Sequence, residues 1–108
     1  MADLLWNRAF ALEQTADDEE LLEELLVLFE DSAASDLALL QQAIATDDAA
    51  GVVRAAHSLK GASASLGIEG IRQLSNAIES DARNNSVTVA RENLAALSEL
   101  LDQLKNLS

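Results

Sequence analysis

The sequence contains no cysteine and no proline, and it is poor in glycine and in aromatic residues. Without cysteine, disulfide bonds and cysteine-ligated metal sites are excluded. With 4 glycines, 2 phenylalanines and 1 tryptophan, the chain has little material for strand-rich packing, whereas the strong helix formers alanine, leucine and glutamate dominate. A length of 108 residues suits a core of its own, so we predict one all-α domain over residues 1–108.

Long apolar runs and positive charges are also scarce. No stretch approaches the ~20 apolar residues that span a bilayer, and the N-terminus lacks the basic and apolar regions of a signal peptide. We expect a cytoplasmic protein that does not bind membranes, and the initiating methionine and the length favour a complete small protein. The net charge of −12 argues against nucleic acid as a partner, because phosphate backbones select basic surfaces. No large apolar surface is evident in the sequence, so we expect a monomer.

The few positive charges are unevenly distributed. Residues 1–48 include 13 acids and 1 base, whereas residues 49–78 include one acid, Glu69, and three bases, Arg54, Lys60 and Arg72. This second window also contains the single histidine, and its local positive charge could favour an anionic group there. Chance clustering of three bases explains the same pattern, and the sequence leaves both interpretations open.

Apolar residues recur at spacings of three and four along most of the chain, which is typical of helices with one buried face. A short N-terminal helix is predicted over residues 3–11. Four longer helices are predicted: from a start within residues 15–18 to about 45, from the turn at residues 46–48 to about 66, from 69 to about 83, and from about 88 to 104. The connections are short, so these four helices should form an up-down antiparallel bundle. Gly67 stands where a helix C-terminus favours glycine.

The single histidine, His57, belongs to the second of the four long helices. At about 100° per residue, one face of this helix carries an apolar stripe: Val52, Ala56, Leu59, Ser63 and Leu66. His57 points about 140° away from the centre of this stripe. Lys60 and Gly61 share its side of the helix. The pattern therefore predicts an exposed imidazole and argues against a buried core histidine.

The two residues that follow His57 by one turn are each open to two interpretations. Glycine in a helix interior is about 1 kcal/mol less favourable than alanine. Gly61 could leave space for a partner to approach the imidazole, and a helix kink or close helix packing would also explain it. Lys60 could steady an anion at the same place, or it could be an ordinary solvated lysine.

An exposed imidazole, which is largely neutral near pH 7, can act as a nucleophile or as a general base. General base catalysis also requires a nucleophile and an oxyanion site, and the sequence supplies neither convincingly. Metal binding is disfavoured because there is no second histidine, no cysteine and no Glu-x-x-His pair.

The segment that contains His57 resembles the histidine-containing phosphotransfer (HPt) domain family. The family pattern is roughly A-H-x-L-K-G-x-[SA]-x-x-L-G, followed by an apolar residue and L-[CS]-x-x-[LI]-E. The residues that match it here are Ala56, His57, Leu59, Lys60, Gly61, Ser63, Leu66, Gly67, Ile71, Leu74, Ser75, Ile78 and Glu79. The acidic residues 21–48 are similar to the long helix that precedes the motif in this family, so the resemblance covers about residues 6–104.

The resemblance implies a phosphocarrier of a two-component phosphorelay and not an enzyme. His57 would accept a phosphoryl group from a receiver-domain aspartate and pass it to another. Lys60 would neutralise phosphate charge, and Gly61 would leave room for the partner. Glu79 occupies the position whose side chain hydrogen-bonds the imidazole and holds its tautomer, and Arg83, one turn later, would add positive charge nearby.

The implied partners are response-regulator receiver domains, a hybrid sensor histidine kinase, or both. The sequence has no Gly-rich nucleotide-binding motif, so it does not describe a kinase. We expect no cofactor on this chain, because in this family the receiver brings the Mg²⁺. Ser75 stands where many members have cysteine, on a core stripe, so we expect only a packing difference there.

Two other functions stay open. One is a docking module in which His57 is incidental, and the other is an enzyme that uses His57 as a base. A docking module needs no exposed histidine with Lys60 and Gly61 on the next turn, and the enzyme lacks a visible catalytic partner or pocket.

Overall fold

The computed structural model describes residues 3–107, which form five helices and no strand. The helices are α1 (Arg8–Gln14), α2 (Glu19–Ala45), α3 (Ala49–Ser65), α4 (Glu69–Ala82) and α5 (Thr88–Leu107). α3 packs against α2 and α4, and α5 closes the bundle by packing against α4 and α2. The predicted up-down four-helix bundle with an extra N-terminal helix is confirmed. Within residues 3–107, no helix is long and apolar enough to cross a membrane.

Side-chain caps determine where α2 and α3 begin. Asp18 Oδ1 accepts a hydrogen bond from Leu21 N at 3.1 Å, and Asp48 Oδ1 accepts one from Gly51 N at 3.0 Å. Both carboxylates satisfy backbone N–H groups that have no partner within the helix. The acidic turns of the sequence are therefore the starting points of the two helices.

Gly67 ends α3 in a Schellman turn. Its φ of 68° lies in the left-handed region, which glycine adopts without steric cost. Gly67 N donates to Ala64 O at 3.3 Å, and Ile68 N donates to Ser63 O at 2.9 Å. The predicted position of Gly67, directly after the helix, is confirmed, and the turn reverses the chain into α4.

The core is formed by the apolar stripes of the four long helices. Its largest fully buried apolar side chains are Leu22, Leu40, Leu59, Ile68, Ile71, Ile78, Leu97, Leu100, Leu104 and Val52. The stripe predicted for α3 is buried throughout. Ser75 is buried as expected, and its Oγ has no hydrogen-bond partner among residues 3–107.

The N-terminal helix begins later than the sequence predicted. It was expected over residues 3–11, and it covers Arg8–Gln14. Asn7 is the N-cap, with its side chain accepting a hydrogen bond from Phe10 N at 3.1 Å. Leu5 has a φ of 51°, which a right-handed helix cannot include. The prediction for residues 3–7 was therefore wrong.

Residues 3–7 lie along the turn between α3 and α4. Three hydrogen bonds hold them there: from Asn7 N to Gly67 O at 2.8 Å, from Gly70 N to Leu4 O at 2.8 Å, and from Trp6 Nε1 to Leu66 O at 3.0 Å. Leu4 is buried in this position, whereas Leu5 stays exposed. The segment thus covers one end of the bundle as an extended strap and not as a helix.

Replacing Gly70 with alanine is expected to detach this strap. The new methyl group would lie 2.5 Å from the Leu4 carbonyl oxygen and closer still to that of Asp3, and backbone atoms cannot move aside cheaply. We expect the free energy of unfolding to fall by about 2–3 kcal/mol, through lost burial and hydrogen bonds. The fluorescence of Trp6 should shift to longer wavelength as its ring becomes hydrated.

Chemical denaturation followed by fluorescence of the single tryptophan measures both effects. Gly61→Ala is the matched control: a methyl group there meets no atom within 4 Å outside α3's own backbone and chain neighbours, so we expect no loss of stability and unchanged fluorescence. Equal stability and equal fluorescence in Gly70→Ala and the wild type would contradict the placement of the strap.

Candidate functional site

His57 and Glu79 meet across the pair formed by α3 and α4. His57 precedes Ile68 of the connecting turn by eleven residues, and Glu79 follows it by eleven. Because the two helices are antiparallel, the two residues lie at the same height along the pair. His57 Nδ1 lies 3.1 Å from Glu79 Oε2. The imidazole is 65 % exposed, which confirms the orientation predicted from the helical pattern, and the Glu79 side chain is 3 % exposed.

This contact determines which ring nitrogen is free. An ionised carboxylate only accepts hydrogen bonds, so we assign the ring proton of His57 to Nδ1, which donates to Glu79. Nε2 then has an available lone pair on a side chain that is largely exposed. The arrangement is that of a nucleophile held by an orienting group.

Two cations share the Glu79 carboxylate with His57. Oε1 lies 2.6 Å from Lys60 Nζ, which comes from α3. Oε2 accepts hydrogen bonds from Arg83 Nε at 3.1 Å and from Arg83 Nη2. The sequence indicated these four residues but not the ion pairs that join them. Glu79 is thus the centre of the cluster, and it is the one charged residue among residues 3–107 that is buried.

The pKa of Glu79 reflects these contacts. Hydrogen bonding to Lys60 is the largest cause of its decrease from 4.5 to about 2, and hydrogen bonds from Arg83 and His57 lower it further. Burial raises the pKa because it disfavours the charged form. The carboxylate is therefore ionised throughout the neutral range and can accept a hydrogen bond from His57 Nδ1.

The lowered pKa of Glu79 predicts a pH dependence of stability. A pKa that is lower in the folded chain than in the unfolded chain means that the ionised group stabilises the fold. This contribution is complete above the ordinary pKa of 4.5 and is lost as the pH falls toward 2. We expect the difference in free energy of unfolding between the wild type and Glu79→Gln to be larger at about pH 5 than at about pH 3. Urea denaturation at both values measures it, and a difference that does not change would contradict the ion-pair geometry.

Gly61 faces open space. Apart from the backbone of α3 and the two neighbours of Gly61 in the chain, no atom of residues 3–107 lies within 4 Å of a Cβ atom added at this position. Close helix packing therefore does not explain the glycine, and α3 continues through it without interruption from Ala49 to Ser65. Room for an approaching partner stays a prediction, and the open space at Gly61 is compatible with it.

The three bases near His57 do not form one free positive patch. Each pairs with an acid: Arg54 with Asp48 at 3.9 Å, Lys60 with Glu79 at 2.6 Å, and Arg72 with Glu69 at 2.7 Å. Lys60 is the one whose acidic partner also binds His57. The positive window of the sequence is thus divided among separate ion pairs, and only part of it belongs to the histidine site.

The side of α3 that faces α2 carries features that the sequence did not indicate. Ser58 Oγ donates to Asp36 Oδ2 at 2.7 Å, which joins the two helices beside His57. These two residues are 22 positions apart, so no local spacing could have revealed the contact. α2 also exposes Leu28 and Leu39, and a groove of about 380 Å³ lies between α2 and α3 next to Ala62. The surface is therefore more apolar than the sequence led us to expect.

Comparison with known proteins assigns this arrangement to a family. A sequence profile of the Hpt domain matches residues 24–107, which contain the whole Glu79-centred cluster. The chain belongs to the Hpt domain family. The crystal structure of the HPT domain from an Hpt sensor hybrid histidine kinase of Shewanella is similar to this Hpt domain, with 25% sequence identity and a TM-score of 0.77. The similarity covers 97% of this chain and 95% of that chain.

No curated protein sequence matches this Hpt domain significantly. Family membership nevertheless defines its class: it is a histidine phosphotransfer domain of two-component signalling. Hpt domains are phosphocarriers and not kinases.

Proposed function

We propose that this Hpt domain carries a phosphoryl group on His57 Nε2, between an aspartate of one receiver domain and an aspartate of another. The observation that carries the proposal is the 3.1 Å contact between His57 Nδ1 and Glu79 Oε2. It leaves the lone pair on the other ring nitrogen of an exposed side chain. The similar domain belongs to a sensor hybrid histidine kinase, which supports partners of the same signalling class.

In the proposed transfer, the Nε2 lone pair attacks the phosphorus of an aspartyl phosphate. The N–P bond forms while the P–O bond to the aspartate breaks, and the bonding electron pair leaves on the receiver's carboxylate. His57 keeps its proton on Nδ1, so the ring gains positive charge as the reaction proceeds. Glu79 therefore stabilises the transition state more than the free imidazole. The reverse reaction, with a second receiver, passes the phosphoryl group on.

Lys60 is suited to neutralise the charge of the phosphoryl group. Its side chain is 31 % exposed, and its ammonium already lies at the site, 2.6 Å from Glu79 Oε1. The flexible four-carbon stem allows the ammonium to turn from the carboxylate to a phosphate oxygen. Gly61, next to Lys60, leaves the helix surface bare, so the receiver's aspartate can approach His57 closely.

We propose that the phosphoryl group arrives on a receiver domain, because residues 1–108 contain no Gly-rich nucleotide-binding motif. Phosphoryl transfer depends mainly on positioning and charge stabilisation, to which metal ions usually contribute. We propose that the receiver domain supplies Mg²⁺ and the carboxylates that bind it. This chain supplies the nucleophile, its orienting group and one cation.

The apolar surface beside the site supports docking of a protein partner. Leu28 and Leu39 are exposed on α2, and Leu28 lines the groove next to Ala62. The same leucines would serve a docking module in which His57 has no chemical role. Phosphate acceptance is what separates these two functions.

Phosphotransfer from a panel of phosphorylated receiver domains of the same organism tests the proposal. Rapid, acid-labile labelling of this chain by one or more receivers is the expected result, and it also identifies the partner. Small phosphoryl donors are less informative, because any exposed histidine can react slowly with them. If the folded protein accepts no phosphate across a complete panel, the docking module becomes the better interpretation.

A further inference from the structure

We propose that Arg83 is a positioning residue for the transfer, which acts on His57 through Glu79. This inference rests on the proposed function. The sequence analysis treated Arg83 as an additional positive charge near His57, whereas the role proposed here is to hold Glu79 in place. Arg83 donates to Glu79 Oε2 through Nε at 3.1 Å and through Nη2. The same oxygen lies 3.1 Å from His57 Nδ1. Glu79 Oε2 thus contacts both Arg83 and His57 Nδ1, the nitrogen whose proton defines the tautomer of the histidine.

The geometry of Arg83 suits it to hold this oxygen. Its planar guanidinium presents donors in a fixed fork, which restricts the position of the acceptor more than a single ammonium does. Arg83 is the C-cap residue directly after α4 and follows Glu79 by four residues, a spacing that sets two side chains next to each other on a helix. When the fork holds Oε2, the direction of the hydrogen bond to His57 is fixed as well.

Lys60 does not serve the same purpose in the phosphorylated state. It contacts the other oxygen, Oε1, at 2.6 Å. In the proposed transfer its ammonium turns toward the phosphate, which leaves Arg83 as the cation paired with a 3 % exposed carboxylate. A buried charge without a partner is strongly destabilising. Arg83 therefore keeps Glu79 ionised and in place while His57 carries the phosphoryl group.

Nuclear magnetic resonance of the His57 ring nitrogens in Arg83→Ala tests this role. The chain has a single histidine, so a two-bond ¹H–¹⁵N correlation spectrum reports one ring. Arg72→Ala is the matched control, because Arg72 lies on α4, the helix that Arg83 caps, and pairs with Glu69 at 2.7 Å. We expect the Nδ1–H tautomer in the wild type and in Arg72→Ala, and a shift toward the Nε2–H tautomer in Arg83→Ala. Arg83→Lys, which keeps the charge without the fork, should restore part of the wild-type spectrum.

Transfer rates provide the second measurement. We expect a decrease of about tenfold in Arg83→Ala, by analogy with the lower end of the cost of removing the outer-shell groups that orient metal-binding histidines. Arg72→Ala should transfer at the wild-type rate, and Arg83→Lys should lie between. A merely structural role for Arg83 would lower the melting temperature without changing the tautomer.

Two results would overturn the proposal. One is a wild-type tautomer and a wild-type rate in Arg83→Ala. The other is a wild-type tautomer with slowed transfer, which would place Arg83 at the phosphate instead. If no receiver phosphorylates even the wild type, the proposed function fails, whereas a tautomer shift confined to the Arg83 variants would still support the positioning role.

Discussion

Replacing His57 with glutamine is expected to abolish phosphoryl acceptance and to leave the bundle intact. Glutamine has no ring nitrogen to attack phosphorus, so labelling by a receiver should fall to background, by more than about a thousandfold. The imidazole is 65 % exposed, so its removal costs little packing. The glutamine amide can still donate a hydrogen bond to Glu79. The melting temperature should therefore stay within about 5 °C of that of the wild type.

Acid-labile labelling and thermal melts followed by circular dichroism measure these two results on one sample. The melt is the control for the labelling, because an unfolded variant would also fail to accept phosphate. Loss of cooperative melting would contradict the exposed placement of His57. Fast residual labelling would assign the phosphoryl group to another residue.

Substitutions of Gly61 should change the free energy of unfolding and the rate of phosphoryl transfer independently. Alanine at this position is expected to raise the free energy of unfolding by about 1 kcal/mol, because glycine is unfavourable in a helix and the new methyl group meets no described atom. Leucine should also leave the fold stable, but its side chain would project beside His57. We expect transfer in Gly61→Leu to fall by about a hundredfold, the effect of displacing reacting groups by about 1 Å.

Urea denaturation and rapid-quench transfer kinetics on the series glycine, alanine, leucine test both parts. Transfer should decrease with side-chain size, whereas stability should not. If Gly61→Leu is folded and transfers at the wild-type rate, the glycine does not serve partner approach. If Gly61→Ala is less stable than the wild type, the fold requires the glycine, contrary to the open space around it.

The long helices were predictable because their signals are local. Asp18 and Asp48 cap the helices that follow them, by accepting hydrogen bonds from N–H groups three residues later. Gly67 ends α3, with hydrogen bonds from Gly67 N to Ala64 O and from Ile68 N to Ser63 O. The strap was not predictable for the opposite reason. Trp6 donates a hydrogen bond to Leu66, 60 residues along the chain, and no local sequence pattern indicates such a contact.

The same difference between local and long-range contacts explains which features of the site could be predicted. The exposure of His57 followed from its position on one helix, which the apolar stripe of α3 determined. Glu79 is 22 residues from His57, so its contact was indicated by resemblance to a family and not by spacing. The pairing of Arg83 with Glu79 is local in sequence, but a spacing of four residues is common to many solvated ion pairs. Only the three-dimensional structure showed that this pair shares an oxygen with the histidine.

The position of the phosphoryl group on the ring is the most direct test of the proposed chemistry. The protein would be labelled with ¹⁵N at its single histidine, phosphorylated by its receiver domain and measured through ³¹P–¹⁵N coupling. We expect phosphorus bonded to Nε2 of His57, with a proton still on Nδ1. Phosphorus on Nδ1, or on a residue other than His57, would contradict the part assigned to Glu79 and the proposed transfer.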